Sequence, residues 1–227
     1  MTILGLETST AVCSVGLVRE NMPDVELSLQ ESHIHSEKLL TLIQDVLHAG
    51  ETTLQQIDAI GVAIGPGSFT GLRIGLSTAK GLSYALEKPL IAVPTFEAMA
   101  EAARQNHRSM ASIVVIMDAK KDEWYTCKFR VVSEAVQASG HVEIRNLTEA
   151  IAAVDESPAI ILTDSCEAIR RHLKANAVVE DVHPFCRGNV VAQLGYRRLI
   201  KNELSDVAAL EPMYLKDFII RSAALVS

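Results

Sequence analysis

One arrangement of short apolar runs occurs twice in this chain, and it limits the fold more than any single motif does. Residues 2–6, 12–18 and 25–30 are apolar or alternating runs split by ETST and the turn-like RENMPD, and they read as three strands joined as hairpins. The spacing then predicts a helix over 36–49, a strand at 57–64, a helix over 69–86, a strand at 90–93 and a helix from Thr95. The order is β-β-β-α-β-α-β-α. From Ser112 it starts again, with a hairpin pair at 112–118 and 123–132, a third strand at 140–146, a helix at 147–154, a strand at 159–163, a helix at 165–174, a strand near 178–182 and a helix over 188–202. Two successive copies of one topology predict a duplicated α/β unit. The first lobe is expected over 1–106 and a smaller C-terminal lobe over 107–227, with a cleft between them and a C-terminal segment able to return to the first lobe.

This order resembles the two-lobed actin-like, or duplicated ribonuclease-H-like, fold of sugar kinases, Hsp70 chaperones and acetate kinase. In that fold the first hairpin of each lobe carries a carboxylate with hydroxyls or glycines that hold Mg²⁺ and phosphates. Here the first hairpin offers Glu7, Thr8, Ser9 and Thr10, which suit a phosphate and suit an ordinary tight turn equally well. The second, Asp118-Ala119-Lys120-Lys121-Asp122-Glu123, has no glycine to let backbone N–H groups approach a phosphate. No Gly-Gly follows the strand at 159–163, where Thr163-Asp164-Ser165-Cys166 stands instead. The expected cofactor is therefore none, with room only for weak ATP or ADP binding.

The segment GPGSFTGLRIGLSTAKG, from Gly65, holds five of the chain's 12 glycines and invites a phosphate-loop reading. It lacks the Walker A spacing and its Lys-Ser/Thr pair, and Thr70 stands where a Rossmann fingerprint needs its third glycine. Gly65, Pro66 and Gly67 read instead as a strand-to-helix turn capped by Ser68. Gly71, Gly75 and Ala79 form a bare stripe on the helix, and glycine inside a helix costs about 1 kcal/mol against alanine, so a close neighbour is expected there. Helix 36–49 carries a wide apolar arc, with Leu39, Leu42, Ile43 and Val46 in it, which can serve a sheet along one edge and a partner along the other.

Charged residues are 22% of the chain and the formal charge is −7 with a pI near 5.5, so the basic footprint that dominates affinity for a nucleic-acid backbone is absent. The four cysteines form no C-x-x-C pair, His33 and His35 form no H-E-x-x-H, and no metal site is expected. No apolar run approaches the roughly 20 residues of a membrane span, and a cytoplasmic protein is expected.

GPGSFTGLRIG followed by AKGL, the start LGLETSTAVCSVGL, His35 to Leu40, MDAKKDEWY at 117–125 and EPMYLKD at 211–217 together resemble the bacterial TsaB (YeaZ) family. Glu7 departs from the aspartate more usual there. The resemblance implies a non-catalytic protein, with no catalytic residues of its own, needed to form N6-threonylcarbamoyladenosine at position 37 of tRNAs reading A-starting codons. It implies pairing with TsaD, the metal- and nucleotide-binding homologue that transfers the threonylcarbamoyl group, with the ATPase TsaE joining through the complex, tRNA met only indirectly, and a homodimer where TsaD is absent. The implied contact surface is the helix pair 36–49 and 69–86, with Leu39, Leu42, Ile43, Val46, Gly71, Ile74, Gly75, Thr78 and Leu82 as its candidate residues. On that expectation Gly75→Leu or Leu39→Glu leaves a folded chain that no longer holds TsaD. The alternative is an active actin-like small-molecule kinase or ATPase.

Overall fold

The computed structural model describes residues 1–31, 33–152, 154, 159–173 and 178–215. The apolar tail at 218–227 lies outside them. Strands β1 (Thr2–Glu7), β2 (Val12–Arg19) and β3 (Val25–Gln30) form an antiparallel meander, and β4 (Ala59–Ala63) and β5 (Leu90–Val93) add in parallel beside β1, giving the order β3-β2-β1-β4-β5. The second sheet repeats the plan with β6 (Ser112–Asp118), β7 (Glu123–Val132), β10 (Ala159–Thr163) and β11 (Val178–Asp181), in the order β11-β10-β6-β7. Its third-strand position differs from expectation. Two short strands, β8 (Ala135–Ala138) and β9 (Glu143–Asn146), divide the 10-residue edge of β7, pairing with residues 129–132 and 123–126 respectively.

Helices α1 (His35–Ala49) and α2 (Phe69–Leu86) cover one face of the first sheet. Their stripes recur at three and four residues, so Leu39, Leu42, Ile43, Val46, Leu76 and Ala79 all reach the sheet core. Each leucine, isoleucine or valine among them contributes about 1.5–3 kcal/mol by leaving water. The sheet's other face meets α6 (Gly188–Ile200), and α3 (Thr95–Asn106) packs against both α6 and the second sheet. Arg197 and Arg198 of α6 pair with Glu101 and Glu97 of α3 at 3.0 and 2.7 Å. Short helices α4 (Leu147–Ala152) and α5 (Cys166–Arg170) pack with the outer face of the second sheet.

A row of glycines sets how near α6 comes. Gly16, Gly5 and Gly61 are direct cross-strand neighbours on β2, β1 and β4. A Cβ on Gly16 would overlap the backbone of Asn189, one on Gly5 would overlap Gly188 and Ala192, and one on Gly61 would stand 3.1 Å from the Val191 carbonyl oxygen. The first turns of α6 therefore lie on bare backbone.

Beyond α6 the chain runs back along the first sheet and α2. Ser205 donates its N–H to the Leu90 carbonyl at 3.0 Å and accepts from Ala92 N–H at 2.9 Å, Val207 and Leu210 join the α1–α2 core, and Met213 N–H donates to the Ile64 carbonyl at 2.7 Å.

Candidate functional site

The glycine-rich segment opens α2 against the chain's own first hairpin. Gly65 takes φ 112°, in the region that favours glycine. Ser68 accepts a capping hydrogen bond from Gly71 N–H at 3.2 Å, and Ser68 N–H donates to the Ser9 carbonyl at 2.6 Å. A Cβ on Gly67 would overlap Ser9, and one on Gly71 or Gly75 would overlap Thr8. Thr8 Oγ1 donates to the Gly71 carbonyl at 2.9 Å. The close neighbour of the Gly71–Gly75 stripe is thus the turn that follows β1, so Gly75→Leu would strike the hairpin instead of leaving a normally folded chain.

That turn forms one wall of a cleft of about 680 Å³, closed on other sides by Ser68 to Gly71, by Asp118 to Lys120, and by Asp164 and His183. Ser9 and Thr10 line it. Glu7 is wholly buried. Its Oε1 accepts from Ser9 N–H at 2.6 Å, its Oε2 has no hydrogen-bond partner among the described residues, and burial pushes its carboxyl up to about 7. Cys13 is pushed up to about 12 by its own burial and then by the Glu7 charge, and Cys186, which accepts from Thr10 Oγ1 at 3.3 Å, is raised for the same two reasons. Thiols held this far above the usual range are not nucleophiles.

On the opposite wall, Asp118 Oδ2 lies 2.7 Å from Lys120 Nζ, and Asp118 Oδ1 accepts from Lys120 N–H at 2.7 Å. The hydrogen bond and charge of Asp118 raise the Lys120 ammonium. The turn carries Lys120, Lys121 and Asp122 at φ 65°, 60° and 59°, a left-handed run built without glycine. Thr8, Ser9 and Thr10 therefore split: Thr8 serves the hairpin, and Ser9 and Thr10 reach the cleft. His35 Nε2 lies 3.2 Å from the Val12 carbonyl oxygen and His33 is exposed. Among the described residues no three His, Cys, Asp or Glu side chains are grouped to hold a metal ion.

The candidate helix residues occupy two positions. Leu39, Leu42, Ile43 and Val46 are buried against the sheet, as are Gly71 and Gly75 against Thr8, while Ile74, Thr78 and Leu82 are half-buried along the edge of α2. Leu39→Glu would therefore put a charge into the core and unfold the lobe. What the two helices present to solvent is different: Leu40, 60% exposed, with Thr41 and Gln44 on α1, and Ser77, Gly81, Ala85 and the 86%-exposed Tyr84 on α2. Gly81 has nothing within 4 Å of a Cβ. An aromatic residue on the polar side of α2 was the sequence signal for this face.

The family model for TsaD, tRNA N6-adenosine threonylcarbamoyltransferase, matches residues 30–162. The chain is 34% identical over 138 residues to the tRNA threonylcarbamoyladenosine biosynthesis protein TsaB of Haemophilus influenzae, covering 61% of this chain and 57% of that one. Against the TsaB of Escherichia coli it is 34% identical over 130 residues, covering 57% and 55%. The aligned part thus spans a little over half the length of these curated relatives. Among solved structures, YeaZ from Pseudomonas aeruginosa superposes with a TM-score of 0.84 at 24% identity, covering 94% of this chain and 99% of the other. Component A of the Acidaminococcus fermentans (R)-2-hydroxyglutaryl-CoA dehydratase superposes with a TM-score of 0.51 at 7% identity, covering 88% and 99%. These likenesses show a two-lobed actin-like fold, and the sequence match over more than half the chain shows that it belongs to the tRNA N6-adenosine threonylcarbamoyltransferase family, in its TsaB (YeaZ) branch.

Proposed function

We propose that this chain is a non-catalytic subunit in the formation of N6-threonylcarbamoyladenosine at position 37 of tRNAs reading A-starting codons. It acts by binding TsaD, and through that complex TsaE, and touches tRNA only indirectly. The observation that carries this reading is the fate of the two hairpin acids. Glu7 is sealed beneath the cleft floor and Asp118 is engaged by Lys120, so neither offers the open carboxylate that a metal-bound triphosphate needs in this kind of cleft. The TsaB relatives support the pathway.

The partner surface on this reading is the pair α1 and α2, met through their outward residues, while Leu39, Leu42, Ile43, Val46, Gly71, Gly75 and their half-buried neighbours hold the two helices in place. Leu40 and Tyr84 are large apolar side chains left in water there. The same surface serves a homodimer where TsaD is absent. Tyr84→Glu and Gly81→Trp are expected to keep the wild-type circular dichroism and to stay folded, with Gly81→Trp melting no lower than wild type, and to lose co-purification with TsaD and restoration of the tRNA modification. Unimpaired binding by both variants would remove the outer face from the reading. Calorimetry of the pure chain with Mg-ATP is expected to show no turnover; micromolar binding with turnover would favour the kinase or ATPase alternative, for which Ser9 and Thr10 on the cleft speak.

A further inference from the structure

Arg73 stands exposed on the second turn of α2, in a setting assembled from distant parts of the chain. Its guanidinium carbon lies 3.7 Å from the centroid of the Phe69 ring and 5.7 Å from that of Tyr214, and the two rings are 5.3 Å apart. Its Nε–H donates to the Tyr214 hydroxyl at 2.8 Å. Tyr214 is brought there by the segment that follows α6, fastened one residue earlier by the Met213 to Ile64 hydrogen bond. Arg104, Arg145, Arg171, Arg187, Arg197 and Arg198 all pair with acids of this chain. Arg73 pairs with no carboxylate among the described residues, in a chain with 28 acidic side chains.

The clamp uses the face and the Nε edge of the guanidinium and leaves the terminal edge, with both Nη groups, without a hydrogen-bond partner among the described residues. A carboxylate meets that edge through two parallel hydrogen bonds. An arginine ordinarily loses rotamer freedom when it is fixed; the aromatic clamp has already restricted that freedom. Arg73 also continues the exposed row Ser77, Gly81 and Tyr84 at spacings of four, four and three residues. At 1.5 Å per residue, Arg73 and Tyr84 are roughly 16 Å apart along the helix, with small residues between them.

We propose that Arg73 is a preorganised anchor for an aspartate or glutamate side chain of the protein that docks on α2. The inference rests on the docking of TsaD through the outer face of α1 and α2. It adds that the docking element carries its acid about three helical turns from the site that receives Tyr84.

Titration calorimetry of the full chain against TsaD, at low and at moderate salt, tests it. Arg73→Ala is expected to keep the wild-type melt, to weaken binding at least tenfold at low salt and to flatten the salt dependence. Arg73→Lys keeps the charge and loses the fork, and is expected to recover only part of that loss; Tyr214→Phe keeps the ring and loses the hydroxyl, and is expected to weaken binding severalfold. Wild-type affinity and salt dependence in Arg73→Ala, alongside lost binding in Tyr84→Glu, would overturn the Arg73 anchor and leave the docking face standing. Absence of any binding by the wild-type chain would overturn the docking reading and the anchor with it.

Discussion

Glu7 shows how little a residue's identity says about its use. Side chains alternate along β1, so Leu4 and Leu6 face α1 and α2, whereas Ile3, Gly5 and Glu7 face the side that α6 covers. An acid at the end of β1 was legible in the sequence. Its burial was not, because the covering residues arrive some 180 positions later. In the unfolded chain Glu7 ionises near 4.5, and in the folded chain it holds its proton up to about 7. Between those values the unfolded state releases a proton that the folded state keeps, so stability falls as pH rises through this window and levels off above it. The full shift corresponds to about 3 kcal/mol. Glu7→Gln keeps the acceptor for Ser9 and cannot ionise. It is expected to be about 1–3 kcal/mol more stable than wild type at pH 8 and to remove most of the slope between pH 5 and 7 in urea melts; parallel profiles would assign the slope to other groups.

Within α2, glycines that look alike in sequence do opposite things. Gly75 abuts Thr8 Oγ1 and Gly81 faces open space, although both lie on the apolar half of a helical projection. Gly75→Ala should cost about 1–3 kcal/mol by displacing the hairpin, and Gly81→Ala should add about 0.5–1 kcal/mol through helix propensity. Thermal melts of the two variants compare them directly, and shifts of the same sign would refute the distinction. The helix itself, its Ser68 cap and its close neighbour were all readable from spacing; the neighbour's identity was not, because the Thr8 turn meets α2 only after β4 has paired with β1. The third strand of the second lobe failed for a related reason. The ten-residue length of β7 was legible at 123–132, yet nothing local says that one of its edges is divided between β8 and β9.

For the molecule as a whole, the repeated element order carried the architecture, since two copies of one topology leave few arrangements of two sheets. What it left open was the division of labour between the halves. Helix α6 follows the second sheet in sequence and buries Val190, Val191, Ala192 and Leu194 in the middle of the protein, against both β1 and α3. A chain ending at Arg187 should therefore lose cooperative unfolding and become protease-sensitive in its first lobe, and a peptide covering residues 188–215 should restore protection when added in excess. Full protection of the shortened chain alone would mean that the first sheet closes without α6.

The glycine row under α6 also puts a clock on biosynthesis. Every strand of the first sheet has been made once residue 93 is joined, but its bare stripe stays open until residue 200 follows. At about 5–20 residues per second, that interval is on the order of 5–20 s. During it the nascent first lobe displays an apolar face to the ribosome exit and to any chaperone waiting there, so the pace of translation through the second half bears directly on the yield of the first.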